Sequence, residues 1–371
     1  MKKYFILITI SLFVIACGKK IATIIEPVES ETPILPQSVF DYTPHFPAGF
    51  NTPPLNFFNG IPADNKTTNE GATLGRVLFY DKKLSFNNTI ACASCHLQAK
   101  AFSDPHQFSK GFAGEVTHRQ AMALFNMQFH RSFFWDQRAP TLEQQVLMPI
   151  QNEIEMGMTL PDLVQKIQNT AYYPALFGAA FGNTEITSQK IAKALAQFVR
   201  SITSYNSKYD AGLEDDFAHF SPIEKDGKAL FMSGRFNCNH CHITVNFFEN
   251  DARNNGLESQ FVDVGLGGIT HQAANMGVFT TPSLRNIEVT APYMHDGRFQ
   301  TLAQVVEHYN SGLQGNPNLD DRLTYNGRIG GKPKQYNMTE YEKIAIVAFL
   351  KTLTDNTLLT DERYGNPFIV R

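Results

Sequence analysis

Apolar residues recur at helical spacing along most of the chain, and the best-defined stretches begin with side chains that start helices. Leu302, Val305, Val306 and Tyr309 fall at i, i+3, i+4 and i+7 behind a capping box at Thr301 and Gln304, with His308 beside the stripe. Tyr341, Ile344, Ala345, Ala348 and Phe349 form a second stripe behind Thr339 and Glu342. Further capping boxes at Thr67/Glu70 and Ser221/Glu224 open helices, the latter with Pro222 at the favoured first helical position. Those helices carry two related segments, GRVLF from Gly75 to Phe79 and GKALF from Gly227 to Phe231. The relation continues downstream, where Lys190 to Ala192 leads to Phe198 to Thr203 and Lys343 to Ala345 leads to Phe349 to Thr354. The pattern predicts a mainly α protein in which helix, irregular middle and helix occur twice, with long irregular connections and boundaries near 56 and 220.

The N-terminus has a different pattern. Lys2 and Lys3 precede an apolar run, Tyr4 to Ala16, too short to span a bilayer and sized like the core of a signal peptide. The run ends at Val14-Ile15-Ala16-Cys17, which resembles a bacterial lipobox. Residues 1–17 are therefore expected to be a lipoprotein signal peptide, with Cys17 lipidated on a periplasmic, membrane-anchored chain; a plain secretory signal is the alternative. Residues 18–55 hold Pro27, Pro33, Pro36, Pro44, Pro47, Pro53 and Pro54 with little periodicity, and are expected to form a tether.

Composition narrows the function. With 371 residues and 43% hydrophobic content, the chain can bury a large core and fits two domains, 56–219 and 220–371. The net charge is −3 and the basic residues are scattered, which excludes a nucleic-acid footprint.

Five cysteines remain to be explained. Cys17 is assigned to lipid, and the other four sit in two copies of one pentapeptide, CASCH (92–96) and CNHCH (238–242). In C-x-x-C-H the thiols form thioethers with haem vinyl groups and the adjacent imidazole, His96 or His242, reaches the iron. A zinc site or a redox-active dithiol is the competing reading, but the pairs lie far beyond zinc-ribbon spacing. Two covalent haem c groups, one per helical unit, give the plan of cytochrome c used twice.

The segments between the motifs resemble the bacterial di-haem cytochrome c peroxidases. The resemblance covers roughly residues 56–356 through LGRVLFYDKKLS, CASCH, FFWDQRAP, IEM, TPSLRN and TAPYMHDGRF. It implies that the first haem is the peroxide site, with Glu155 and Gln145 on its distal side; Glu153 competes for the carboxylate role. Such a carboxylate can take the proton from bound peroxide and return one to the leaving oxygen. The resemblance also places Trp135, the only tryptophan, between the haems as an electron or hole relay, against the bland reading of a core aromatic.

Two positions depart from the better known peroxidases. Tyr309 stands where the second haem's methionine ligand is expected, as in the branch that includes the maturation enzyme of methylamine dehydrogenase. A phenolate favours oxidised iron, whereas a thioether raises the potential. Met276, Met294 and His308 are the competing ligands. Phe112 aligns with the family's blocking distal histidine, so the first haem is expected to be open without prior reduction, with His106, His118 and His130 nearby as substitutes. The resemblance further implies calcium at Gln120, Thr290 and Pro292, and leaves His295 either beside the second haem or in the core. The partners it implies are hydrogen peroxide and either a small cytochrome c or cupredoxin donor or a protein substrate, with a homodimer as assembly. A non-catalytic di-haem carrier or sensor is the reading from another class.

Overall fold

Two glycines of the sequence repeat mark where the main helices cross. A Cβ on Gly75 would lie 2.0 Å from the Ala194 carbonyl oxygen, and one on Gly227 would lie 1.9 Å from that of Ala345. Only glycine lets the backbones approach so closely. The computed structural model describes residues 29–369 apart from 52, 54 and 59; the signal peptide and Cys17 lie outside the described residues.

Among the described residues the α-helices run α1 (Asn69–Tyr80), α2 (Leu142–Gln145), α3 (Met148–Gln151), α4 (Leu160–Gln168), α5 (Tyr173–Phe181), α6 (Ser188–Ser201), α7 (Lys208–Gly212), α8 (Pro222–Phe231), α9 (Gly267–Thr270), α10 (Leu302–Glu307) and α11 (Glu340–Lys351). A π-helical turn, His308–Gly312, continues α10. Strands β1 (Glu249–Arg253) and β2 (Phe279–Thr281) pair antiparallel. The protein is thus mainly α, as the periodicity predicts, and among the described residues no helix is long and apolar enough to cross a membrane.

Helix α1 packs on α6 and α8 on α11. Leu74, Val77, Phe79, Leu195 and Phe198 belong to one core and Phe231, Phe247, Phe349 and Leu350 to another. Burial of each such side chain contributes roughly 1.5–3 kcal/mol before conformational entropy is counted. The two crossings match in detail, since Phe79 meets Phe198 and Phe231 meets Phe349, both at 5.2 Å between ring centroids.

Several expectations are corrected. The cap of α1 is Thr68, not Thr67, because Gln197 of α6 accepts hydrogen bonds from the Thr68 N–H and hydroxyl while Thr68 caps Gly71. Helix α11 begins at its expected capping box, but its buried face is Ala345, Ile346, Phe349 and Leu350; Tyr341 and Ile344 are exposed. The crossing with Gly227 selects that face. The expected tether is a strap from Glu29 on: Tyr42 and Phe50 are buried, and the Tyr42 hydroxyl donates to the Arg363 carbonyl at 2.9 Å. Nor does the C-terminal segment stay with the second half, since Leu358, Tyr364 and Phe368 join the first core and Arg76 Nε donates to the Gly365 carbonyl. Aromatic side chains within proline-rich or irregular chain supply the burial that holds both straps down.

A second repeat, overlooked in the sequence, joins the halves. The stretch FFWDQRAPTLEQQV from Phe133 corresponds to YMHDGRFQTLAQVV from Tyr293, and the backbone repeats with it. Phe133 bridges Ala139 as Tyr293 bridges Phe299, and Phe134 (φ 70°) matches Met294 (φ 74°). Asp136 pairs with Arg138 as Asp296 pairs with Arg298, and Thr141 and Thr301 each cap the helix that follows. Each loop is held by a segment of the other half, fifteen residues before its counterpart: Gln120 N–H donates to the His295 carbonyl and Thr280 N–H to the Trp135 carbonyl, both at 2.8 Å.

Candidate haem sites

Each C-x-x-C-H segment folds as a 3₁₀ turn, Cys92–Ser94 and Cys238–His240. The His96 N–H donates to the Cys92 carbonyl at 3.0 Å and the His242 N–H to the Cys238 carbonyl at 3.1 Å. Ring orientation is fixed in the same way twice. His96 Nδ1 lies 2.8 Å from the Phe102 carbonyl oxygen and His242 Nδ1 3.1 Å from that of Phe247. A carbonyl can only accept, so Nδ1 carries the proton and Nε2 keeps its lone pair for a metal. Phe102 (φ 61°) and Phe247 (φ 52°) are buried residues in left-handed backbone, a cost held in place by the cores around them. Burial holds both imidazoles below their usual value, and so neutral. It also pushes the Cys92 and Cys238 thiols up to about 12 and Cys95 to about 11. Two thiols and one imidazole whose Nδ1 is committed to a carbonyl, on each turn, fit a covalently attached haem.

In the first half, Glu155 is separated from Glu153 by burial. Glu153 is exposed, whereas burial raises the Glu155 carboxyl above its ordinary value, opposed by Arg138. Glu155 also lies within electrostatic reach of the Cys92 and Cys95 thiols. Gln145 closes α2 with its side chain half-buried, while Glu143 is committed to Arg200 at 2.7 Å and to Asn65. Phe112 is tied to the same segment, its N–H donating to the Glu155 carbonyl at 2.9 Å, with its ring over Gly157.

The three histidines named with Phe112 are placed elsewhere. His106 is exposed and bonded to Asp104, on the His96 side; His118 is exposed. His130 is buried against Phe248, and desolvation takes it down to about 4. It lines a cavity shared by both halves.

That cavity is mostly apolar and is lined by Cys238, Cys241, His242, Met294, Tyr309 and Tyr336. Tyr309 reaches it from the π turn, a wider turn often found at functional sites. Burial raises its phenol above the usual value, the neighbouring Cys241 adds to the shift, and the Asn255 amide opposes it by hydrogen bonding. Asn255 Nδ2 also approaches Met294 Sδ at 3.5 Å, and its carbonyl lies 3.0 Å from His308 Nε2. His308 is thereby occupied. Met276 packs its sulfur against Gly267.

Trp135 and His295, equivalent in the loop repeat, meet over this cavity with ring centroids 6.5 Å apart. Trp135 Nε1 donates to the Gln120 carbonyl at 2.8 Å, and His295 stacks on Phe279 at 3.7 Å. Gln120, Thr290 and Pro292 line the same wall; Gln120 Nε2 donates to Ser103 Oγ and to the Asp104 carbonyl, leaving its Oε1 as the acceptor side.

Comparison with known proteins decides the family. Residues 69–218 match the family model described as di-haem cytochrome c peroxidase. The methylamine utilization protein MauG of Methylophilus methylotrophus is 32% identical over 316 residues, covering 83% of this chain and 91% of that protein. The chain belongs to the di-haem cytochrome c peroxidase family.

A second relative, the cytochrome c551 peroxidase of Nitrosomonas europaea, is 33% identical over 287 residues, 76% of this chain and 79% of that one. Among solved structures, a MauG-like protein associated with microbial copper homeostasis superposes with a TM-score of 0.74 at 34% identity, covering 83% of this chain and 95% of that chain. The protein is a peroxidase-type oxidoreductase, and membership implies two haem c groups. Within the family frame, Asn255 and Tyr336 are the site-lining residues that sequence reasoning missed. Asn255 stands in an irregular stretch without periodicity, and Tyr336 lies just outside the stripe of α11.

Proposed function

We propose that the chain holds two cytochrome c-like units in tandem, 56–219 and 220–371 with the C-terminal strap returned to the first, and reduces hydrogen peroxide at the first. In this reading Cys92, Cys95 and His96 hold the peroxide-site haem, and Cys238, Cys241, His242 and Tyr309 hold the second. A haem iron supplies the centre at which the O–O bond is broken. Glu155 takes the proton from the near oxygen of peroxide and returns it to the leaving oxygen. The Gln145 amide orients the peroxide beside it. Phe112 has no donor atom, so it leaves the distal side open. Trp135 carries electrons or holes between the units. Two protons and two electrons complete the conversion of one peroxide to two waters, the electrons coming from a small periplasmic cytochrome c or cupredoxin.

The observation that supports this reading most is the Glu155 carboxyl, half-buried and raised by desolvation, within reach of the cysteine pair that would anchor the first haem, while Glu153 is exposed. The test is low-temperature EPR of the diferric holoenzyme before and after one equivalent of peroxide. A high-spin and a low-spin signal, both lost on addition, are expected; two low-spin signals indifferent to peroxide would point instead to a plain electron carrier.

Tyr309 favours a second form of the same activity. A phenolate ligand stabilises oxidised iron, so the oxidising equivalents would be stored and spent on side chains of a partner protein. Persistence of the oxidised state for minutes without donor separates this form from ordinary turnover.

The remaining proposals concern location and assembly. Cys17 anchors the mature chain by lipid in the periplasm, which mass spectrometry of the mature N-terminus tests. Calcium is held by the Gln120 side chain and the Thr290 and Pro292 carbonyls, oxygen donors that suit it; chelation is expected to alter the coupling between the haems. A homodimer is tested by light scattering.

A further inference from the structure

The Tyr336 hydroxyl is buried, and among the described residues it has no hydrogen-bond partner. A buried donor without a partner is costly, so its place in the fold calls for an acceptor. Its ring is held firmly. The Tyr336 N–H donates to the Asn310 carbonyl at 2.9 Å and the Met338 N–H donates to Asn310 Oδ1 at 2.7 Å. The segment is thereby bound to the residue that follows Tyr309 in the π turn. Phe236 meets the ring edge-on at 5.9 Å between centroids. Tyr336 and Tyr309 thus enter one cavity from adjacent, hydrogen-bonded segments, beside Cys238 and Cys241.

We infer that the Tyr336 hydroxyl donates a hydrogen bond to the Tyr309 oxygen when that oxygen, as a phenolate, ligates the second iron, and that this bond sets the reduction potential of the second haem. The inference rests on the proposed ligation by Tyr309. Asn255, whose Nδ2 lies 3.5 Å from Met294 Sδ, stands beside Tyr309 from another segment and is the second candidate donor to that oxygen. A hydrogen bond of this kind draws electron density from the phenolate, weakens it as an anionic donor and makes the reduced iron easier to reach. Tyr336 is a positioning residue in this scheme, since it acts through Tyr309.

The experiment compares the holoenzyme with Tyr336→Phe and Tyr336→Leu. The optical band from phenolate to ferric iron and the midpoint potential of the second haem are measured in each. In both variants the band moves to longer wavelength, and the potential falls by about a tenfold change in the one-electron equilibrium, ~59 mV. A wild-type band that stays in place in Tyr336→Phe, with an unchanged potential, overturns the inference and leaves Tyr309 as ligand. A shift in the Leu variant alone overturns it too, because that assigns the effect to packing. Absence of any phenolate band in the wild type removes the Tyr309 reading, and the inference with it.

Discussion

After the shared Asp–Arg loop, the first half runs through α2 and α3 and then delivers Glu155, whereas the second half runs through α10 into a π turn that delivers Tyr309. Up to that point the halves are nearly interchangeable. Each has a glycine at the helix crossing, a left-handed phenylalanine whose carbonyl holds the imidazole, and a threonine-capped helix behind the loop. In the proposed reading the halves differ in the side chain offered to the haem, Glu155 in the first and Tyr309 in the second. A half-buried carboxylate suits proton transfer, and a phenol at a cavity wall suits ligation. Two copies of one scaffold are thereby given different chemistry by a few residues of irregular backbone.

The comparison is broken most severely at Glu155. Glu155→Gln is expected to lower peroxide turnover by roughly 10²–10⁴-fold, while Glu153→Gln leaves it unchanged; steady-state kinetics with a reducing donor tests both. The shared helix crossings come next. Gly75→Ala and Gly227→Ala each force a Cβ onto a carbonyl oxygen, and overpacking of this kind costs about 1–3 kcal/mol. Chemical denaturation should therefore show similar losses for the two variants, and a large loss for only one would mean that the crossings are not equivalent.

Tyr309→Met converts the second site toward a thioether-ligated haem. Its midpoint potential should rise and the oxidised state after peroxide should be shorter-lived, as read by spectroelectrochemistry and stopped flow. The smallest expected effect is on pH. In the proposed reading the ionised Glu155 is the base, so turnover should fall as pH drops through its raised value. Arg138 opposes that rise, so Arg138→Gln should move the acid limb of the pH–rate profile to higher pH.

What could be read in the sequence was local. The capping boxes at Ser221, Thr301 and Thr339 start their helices where expected. The α11 stripe was right at Ala345 and Phe349 and wrong at Tyr341 and Ile344, because period alone cannot say which edge of the stripe meets Gly227. Glu155 and Glu153 alternate along one loop, and no pattern of types distinguishes them; burial does. The loop repeat that pairs Trp135 with His295 was visible in Asp136/Arg138 and Asp296/Arg298, yet its meaning depends on two backbone hydrogen bonds across the halves.

By itself the sequence determined the haem attachment motifs, the mainly helical composition and the duplication of the helix–motif–helix unit, because each rests on covalent chemistry or on contacts a few residues long. Only the tertiary structure decided that the segment around Tyr42 and Phe50 is strapped down, that the C-terminal segment returns to the first core, and that Tyr309, Tyr336 and Asn255 share one cavity. Those outcomes depend on burial between segments far apart in the chain, and the free energy of such burial is set by the shape of the partner surface, which no local pattern encodes.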